Sequence, residues 1–252
     1  MRYFLLLLLF SPICHADITV SDFVGREVRL EQPARRIVAL APHIVENIYS
    51  AGAGEALVGV VSYSDYPLSA KVIPKVGSYK AFSLETILAL QPDLVVMWAS
   101  GNGMTTLDDL AALKVPVYVS EPRGLVDIGR AIRDYGTLAG SETTAEQEAF
   151  RIDRAISQLA AENNGRESIS VLYQVWHEPL QTLNGKHLIS AVIELCGGYN
   201  IFADAVSLAP KISIESQRLS WSRLCRGQAG CASTTRVFWP GSKNSATNTI
   251  FF

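Results

Sequence analysis

Ser83-Leu84-Glu85-Thr86-Ile87-Leu88-Ala89-Leu90-Gln91-Pro92-Asp93-Leu94-Val95-Val96-Met97 packs a helix, a turn and a strand into one short stretch. Ser83 has a side-chain oxygen suited to capping a helix start, and Ile87, Leu88 and Leu90 recur at helical spacing. Pro92-Asp93 ends the helix, and the unbroken apolar run Leu94–Met97 is the signature of a strand buried on both faces. Working outward, Ile37–Leu40, Val58–Val61 and Val115–Val119 are runs of the same kind. Helical stretches lie between them at Val45–Ala51 and Leu107–Leu113. This alternation predicts an α/β fold with a parallel sheet covered by helices on both faces.

A second α/β half restarts with a strand over Ile169–Val175 and a helix over His187–Cys196. Between the halves, Ile152, Ala155, Ile156, Leu159 and Ala160 keep helical spacing, with Glu146, Glu148, Arg151 and Arg154 on the other side. Thr144 and Gln147 have capping-box spacing, and Gly165 stands just past the end. The reading is two lobes with parallel-rich sheets, joined by one long spine helix. Its boundaries are 17–142 for the first lobe, 143–164 for the spine and 165–216 for the second lobe.

The whole chain has 252 residues, a net charge of −2, 48% hydrophobic and 18% charged residues. That composition excludes a disordered chain, and the near-neutral balance argues against a nucleic-acid binder. Four Cys are too few for a disulfide scaffold. At the start, Arg2 precedes Leu5–Leu9, and Cys14-His15-Ala16 offers small residues before Asp17. Residues 1–16 read as a cleaved secretory signal, too short an apolar run to span a bilayer. The mature chain is expected to be exported, soluble and monomeric.

The opening stretch has an echo. Ser213-Ile214-Glu215 repeats the Ser-x-Glu helix start, but no apolar helix, Pro-Asp turn or strand follows it. Residues 217–252 hold five basic and no acidic residues, and hydrophobic periodicity stops. The expectation is an incomplete second lobe followed by an aberrant tail that reads like a shifted frame.

Chemistry by side chains has little to work with. No H-x-x-x-H, C-x-x-C or H-E-x-x-H spacing occurs, nor a nucleophile elbow or P-loop. Gly101-Asn102-Gly103 reads as a turn, and Cys196 before Gly197-Gly198 as a buried thiol at a helix end. Aromatic residues, in contrast, gather where strands end: Tyr63 and Tyr66, Tyr79, Trp98, and Trp176 beside His177. Ligands of open α/β sheets bind at those ends, and aromatic rings there offer flat apolar contact with a polar tip.

These residues resemble a known family: the exported substrate-binding proteins of ABC importers for metal chelates, and among them the vitamin B12-binding members. The stretch Ile37-Val38-Ala39-Leu40-Ala41-Pro42-His43 is similar to the family's first strand and Pro loop. Ser62-Tyr63-Ser64-Asp65-Tyr66-Pro67 resembles the loop of the B12 binders, and Cys196-Gly197-Gly198-Tyr199-Asn200-Ile201-Phe202 extends the match into the second half. The resemblance implies capture of a cobalamin-type corrinoid in the periplasm, in a cleft between the lobes, for delivery to an ABC permease with its ATPase. Cobalamin is then a transported ligand, and neither a cofactor nor a protein-bound metal is implied. It further implies ligand contacts from Tyr63, with Tyr66, Tyr79, Trp98, Trp176, Pro42 and His43, and permease docking through Glu85 and Glu215. In relatives a later Cys often pairs with the one matching Cys196; Cys225 and Cys231 are the candidates here. Haem or a ferric siderophore is the alternative cargo, although only Arg123 lies near a strand end to meet an anion. An exported hydrolase is the rival from another class, without a nucleophile–base pair in its favour.

Overall fold

The computed structural model describes residues 17–213. The signal segment 1–16, Glu215, the tail with Cys225 and Cys231, and the break in the Ser-x-Glu echo all lie outside the described residues. The described chain divides into two compact units. One holds residues up to Glu121 together with Ile132–Glu146; the other holds Pro122–Ala131 and everything from Gln147 onward.

The first unit opens with a hairpin, β1 (Ile18–Ser21) against β2 (Glu27–Leu30), that the sequence reading does not anticipate. Its turn is organised by buried Asp22, whose carboxylate accepts from the backbone N–H groups of Val24 at 3.1 Å and Arg26 at 2.8 Å. Gly25 supplies the left-handed residue with φ 80°.

The four expected strands are all present: β3 (Ile37–Ala39), β4 (Leu57–Val60), β5 (Leu94–Trp98) and β6 (Val117–Ser120). They form one parallel sheet in the order β4-β3-β5-β6. Helices α1 (Pro42–Ser50), α2 (Leu84–Ala89), α3 (Ala99–Asn102) and α4 (Thr105–Ala111) follow their strands as parallel connections require. Val38, Leu40, Val95, Met97, Ile87 and Leu110 are fully buried in one cluster, each worth roughly 1.5–3 kcal/mol of transfer free energy. Ser83 caps α2 by accepting from the Thr86 N–H at 3.1 Å.

Helix α5 (Val126–Ala139) begins in the second unit and ends in the first, and α6 (Glu142–Asn163) does the reverse. Within the first unit the two meet closely: a Cβ on Gly136 would collide with the Ala145 side chain. Arg133 adds a bidentate pair to Glu146, at 2.7 and 3.3 Å. That hydrogen bond, more than the charge alone, holds the Glu146 carboxyl below its usual range.

In the second unit, β7 (Ile169–Val171) pairs in parallel with β10 (Gly198–Asn200), and α7 (Leu188–Leu195) packs beside them. The strand expected over Ile169–Val175 stops at Val171. Beyond it the chain leaves that ladder, and β8 (Trp176–His177) folds back antiparallel on β9 (Leu180–Gln181). Trp176 therefore does not end a parallel strand; its indole N–H is tied to the Glu178 carbonyl at 3.0 Å across that short hairpin. Among the described residues, this unit buries the polar Thr182, Asn184, Ser190 and Asn200 alongside Leu172 and Leu183. Asn200 donates to Ser190 Oγ and the Leu183 carbonyl at 2.8 Å each, and Ser190 donates to the Asn184 carbonyl at 2.7 Å. Cys196 is exposed rather than buried, because it caps a helix whose only buried residue is Ser190.

Candidate functional site

The carboxyl ends of β3, β4 and β5 carry the residues of interest in the first unit. After β3, Pro42 takes the first position of α1, where its missing N–H costs nothing and its fixed φ suits a helix. His43 is thereby placed in the first helical turn instead of a loop. Its ring stands edge-on to the Trp98 indole, with centroids 5.1 Å apart. Burial disfavours the imidazolium and lowers the His43 pKa, with nearby Glu121 partly opposing that shift.

Trp98, the last residue of β5, also faces Tyr79 at 6.1 Å between centroids and an interplanar angle of 39°. Tyr79 sits on a small loop closed by a bridge between Gly77 and Phe82, with the Lys80 ammonium 5.5 Å from its ring centre. His43, Trp98 and Tyr79 thus form one aromatic group, half-buried and built from three separate segments.

Beyond β4, Ser62 fixes the start of the Tyr-containing loop: its N–H and hydroxyl both donate to the Gly77 carbonyl, at 2.7 and 3.0 Å. Lys75 Nζ donates to the carbonyls of Ser64 and Ala70, both at 3.2 Å, and so buckles the loop from below. Tyr63 and Tyr66 are 81% and 69% exposed. Tyr63 adopts a left-handed φ of 67°, unusual for an aromatic residue and worth about 1–2 kcal/mol of local strain.

In the second unit Trp176 is 49% exposed, its ring tilted against His177 at 5.6 Å. Glu85 is exposed in the first turn of α2, where its charge complements the helix dipole. The structure therefore gathers Pro42, His43, Tyr79 and Trp98, sets Tyr63 and Tyr66 on a braced loop, and places Glu85 on a separate helix start.

One residue of this site escapes sequence reading. The segment Gly101-Asn102-Gly103, expected as a simple turn, ends the one-turn helix α3. The Asn102 side chain accepts from the Trp98 N–H at 2.6 Å and donates to the carbonyls of Tyr79 at 2.6 Å and Leu40 at 3.0 Å. A lone Asn between two glycines carries no sign of partners 23 and 62 positions away in the chain. Among the described residues no cluster of His, Cys, Asp and Glu is suited to a metal ion, and no helix is long and apolar enough to cross a membrane.

The vitamin B12-binding protein of Vibrio parahaemolyticus is 34% identical over 207 residues, covering 82% of this chain and 72% of that protein. Among solved structures, the periplasmic vitamin B12-binding protein BtuF of Vibrio cholerae superposes with a TM-score of 0.71 at 34% identity, covering 75% of this chain and 74% of that one. The periplasmic heme-binding protein RhuT from Roseiflexus gives 0.64 at 28% identity, covering 74% and 73%. The family profile described as periplasmic binding protein matches residues 37–229. The parallel sheet and a match over most of its length agree: this chain belongs to the periplasmic binding protein family.

Proposed function

We propose that this chain captures a cobalamin-type corrinoid in the periplasm and hands it to an ABC importer, without catalysing a reaction. The observation that carries the reading is the group of His43, Trp98 and Tyr79 beside the exposed Tyr63 and Tyr66, in a chain 34% identical to B12-binding relatives. A corrinoid is broad, flat and brings its own cobalt. It needs aromatic faces and a few polar groups rather than protein metal ligands. In this reading Pro42, His43, Tyr63, Tyr66, Tyr79 and Trp98 are the first unit's ligand-facing residues, and Trp176 is a proposed ligand contact carried by β8. Glu85 is proposed as a docking carboxylate for basic pockets of the permease, with Glu215 as its counterpart.

The test is titration of the full chain with cyanocobalamin, haem and a ferric siderophore, followed by tryptophan fluorescence and calorimetry. Saturable binding of cyanocobalamin, lost on Tyr63→Ala with Trp98→Ala, is the expected result. Saturation by haem alone would reassign the cargo, and no saturable binding of any of the three would overturn the reading.

A further inference from the structure

We infer that Asn102 is the positioning residue of the aromatic site: one carboxamide fixes the backbone under Trp98 and Tyr79 and so sets the rings that receive the ligand. That role in ligand capture rests on the corrinoid-binding reading; the fixing of the rings does not.

The argument begins with what the ends of parallel strands leave undone. At the carboxyl edge of a sheet the ladder stops, and the last N–H and C=O groups need partners from elsewhere. At this edge the Leu40 carbonyl, the Trp98 N–H and the Tyr79 carbonyl, from three separate segments, are all satisfied by one side chain, at 3.0, 2.6 and 2.6 Å. An Asn carboxamide has one acceptor and two N–H donors on a rigid plane, which is the inventory these groups demand. Asn102 is itself held in register by α3, through the Gly103 N–H to the Ala99 carbonyl at 3.0 Å and the Thr106 hydroxyl to its own carbonyl at 2.9 Å.

Gly101 completes the device. A Cβ there would fall inside the van der Waals envelope of the Trp98 indole, so the ring occupies the space that a side chain at this position would take. His43 meets the same indole edge-on and Tyr79 meets it at a tilt. The three rings belong to separate segments, and Asn102 bonds to the backbone of two of them and to the end of the strand that leads into the third. Asp is the same size but reverses the pattern: it still accepts from the Trp98 N–H and sets an oxygen against two carbonyls it can no longer bond. Groups left unbonded in this way loosen the Tyr79 loop, and ligand binding must then restore the order that was lost.

The experiment uses the full chain labelled with 15N at its tryptophan indoles, with the Trp98 resonance assigned by its loss in Trp98→Phe. Asn102→Asp, Asn102→Ala and Gly101→Ala are compared with Ser83→Ala, which removes the α2 cap and touches none of the rings. Both Asn102 variants should shift or broaden the Trp98 resonance while leaving that of Trp176 in place. They should also weaken cyanocobalamin binding by about ten-fold or more. Gly101→Ala should move the same resonance with the three hydrogen bonds intact, which separates ring position from global stability if an Asn102 variant fails to fold. Ser83→Ala should lower the melting temperature without either effect. An unmoved Trp98 resonance in the Asn102 variants overturns the positioning role, as does an affinity loss no larger than that of Ser83→Ala. If the wild-type chain binds no corrinoid at all, the functional reading falls, and the indole spectra still decide whether Asn102 sets the rings.

Discussion

Tyr63 pairs an outward-facing ring with a left-handed backbone, a combination that a fold would not choose for stability. Its ring is so exposed that it contributes little packing, and its φ of 67° carries the penalty of an L-residue in that region. Tyr63→Gly should therefore stabilise the chain by about 1 kcal/mol, read as a rise in melting temperature, while cyanocobalamin affinity falls. A drop in melting temperature would mean that the ring does structural work. The chemistry of this site is legible residue by residue: Tyr63, Tyr66, Tyr79 and Trp98 stand out as aromatic residues after apolar runs. What is illegible is conformation and partnership. Nothing in Ser62-Tyr63-Ser64 announces a left-handed Tyr, and the bonds of Asn102 exist only once distant strand ends have been brought together.

Among the elements, α7 has an unusual start. Its cap is His187, whose Nδ1 accepts from the Ile189 N–H at 3.1 Å. Only a neutral imidazole offers that acceptor, and burial lowers the His187 pKa below its ordinary value. The folded chain thus resists a proton that the unfolded chain takes up near pH 6.5. Between the lowered folded value and that pH the unfolded state binds more protons, so stability rises with pH there. The contribution is fully present above about 6.5 and is lost on acidification. His187→Asn keeps an acceptor without a titration, so melting curves at pH 8 and pH 5 should lie closer together in the variant than in the wild type. An equal gap in both would remove His187 from the account; His43, also lowered by burial, remains in both proteins and cancels. Sequence patterns find α1, α2, α4, α6, α7 and the four-stranded sheet, because each presents an unbroken apolar run or a helical stripe. They miss the β1–β2 hairpin, whose alternation lasts only four residues per strand and whose link to the sheet, Phe23 N–H to the Val119 carbonyl at 3.0 Å, is far away in sequence. They also extend the strand at Ile169 too far, since an apolar run does not reveal where its ladder partner ends.

At the scale of the molecule, the two units are built unequally. Strands β3 and β6 and the first four residues of β5 are buried, whereas Ile169 in β7, Val192 in α7 and Leu159 in α6 are each more than two-fifths exposed. The described part of the second unit relies on its Asn184–Ser190–Asn200 network where the first relies on apolar packing. Hydrogen exchange followed by mass spectrometry should reflect this, with amides of β7 and β10 exchanging well before those of β3 and β5. Uniform protection across both would show that the polar network is worth as much as the sheet core.

The division of the chain also sets the order in which its parts can be finished. Ile132–Glu146 returns to the first unit after an excursion, and it brings Tyr135, whose hydroxyl donates to Ser120 Oγ at 3.0 Å, and Asp134, which accepts from the Tyr118 hydroxyl at 2.6 Å. A chain threading out from its amino end would have all four strands of the sheet in hand by Ser120, with Phe23 already against Tyr118 but the side of that ring that meets Tyr135 still bare. Only when Asp134 and Tyr135 have emerged can that side close, and by then the segment that starts the second unit, Pro122–Ala131, is already outside. The first unit is therefore obliged to wait for its neighbour to begin.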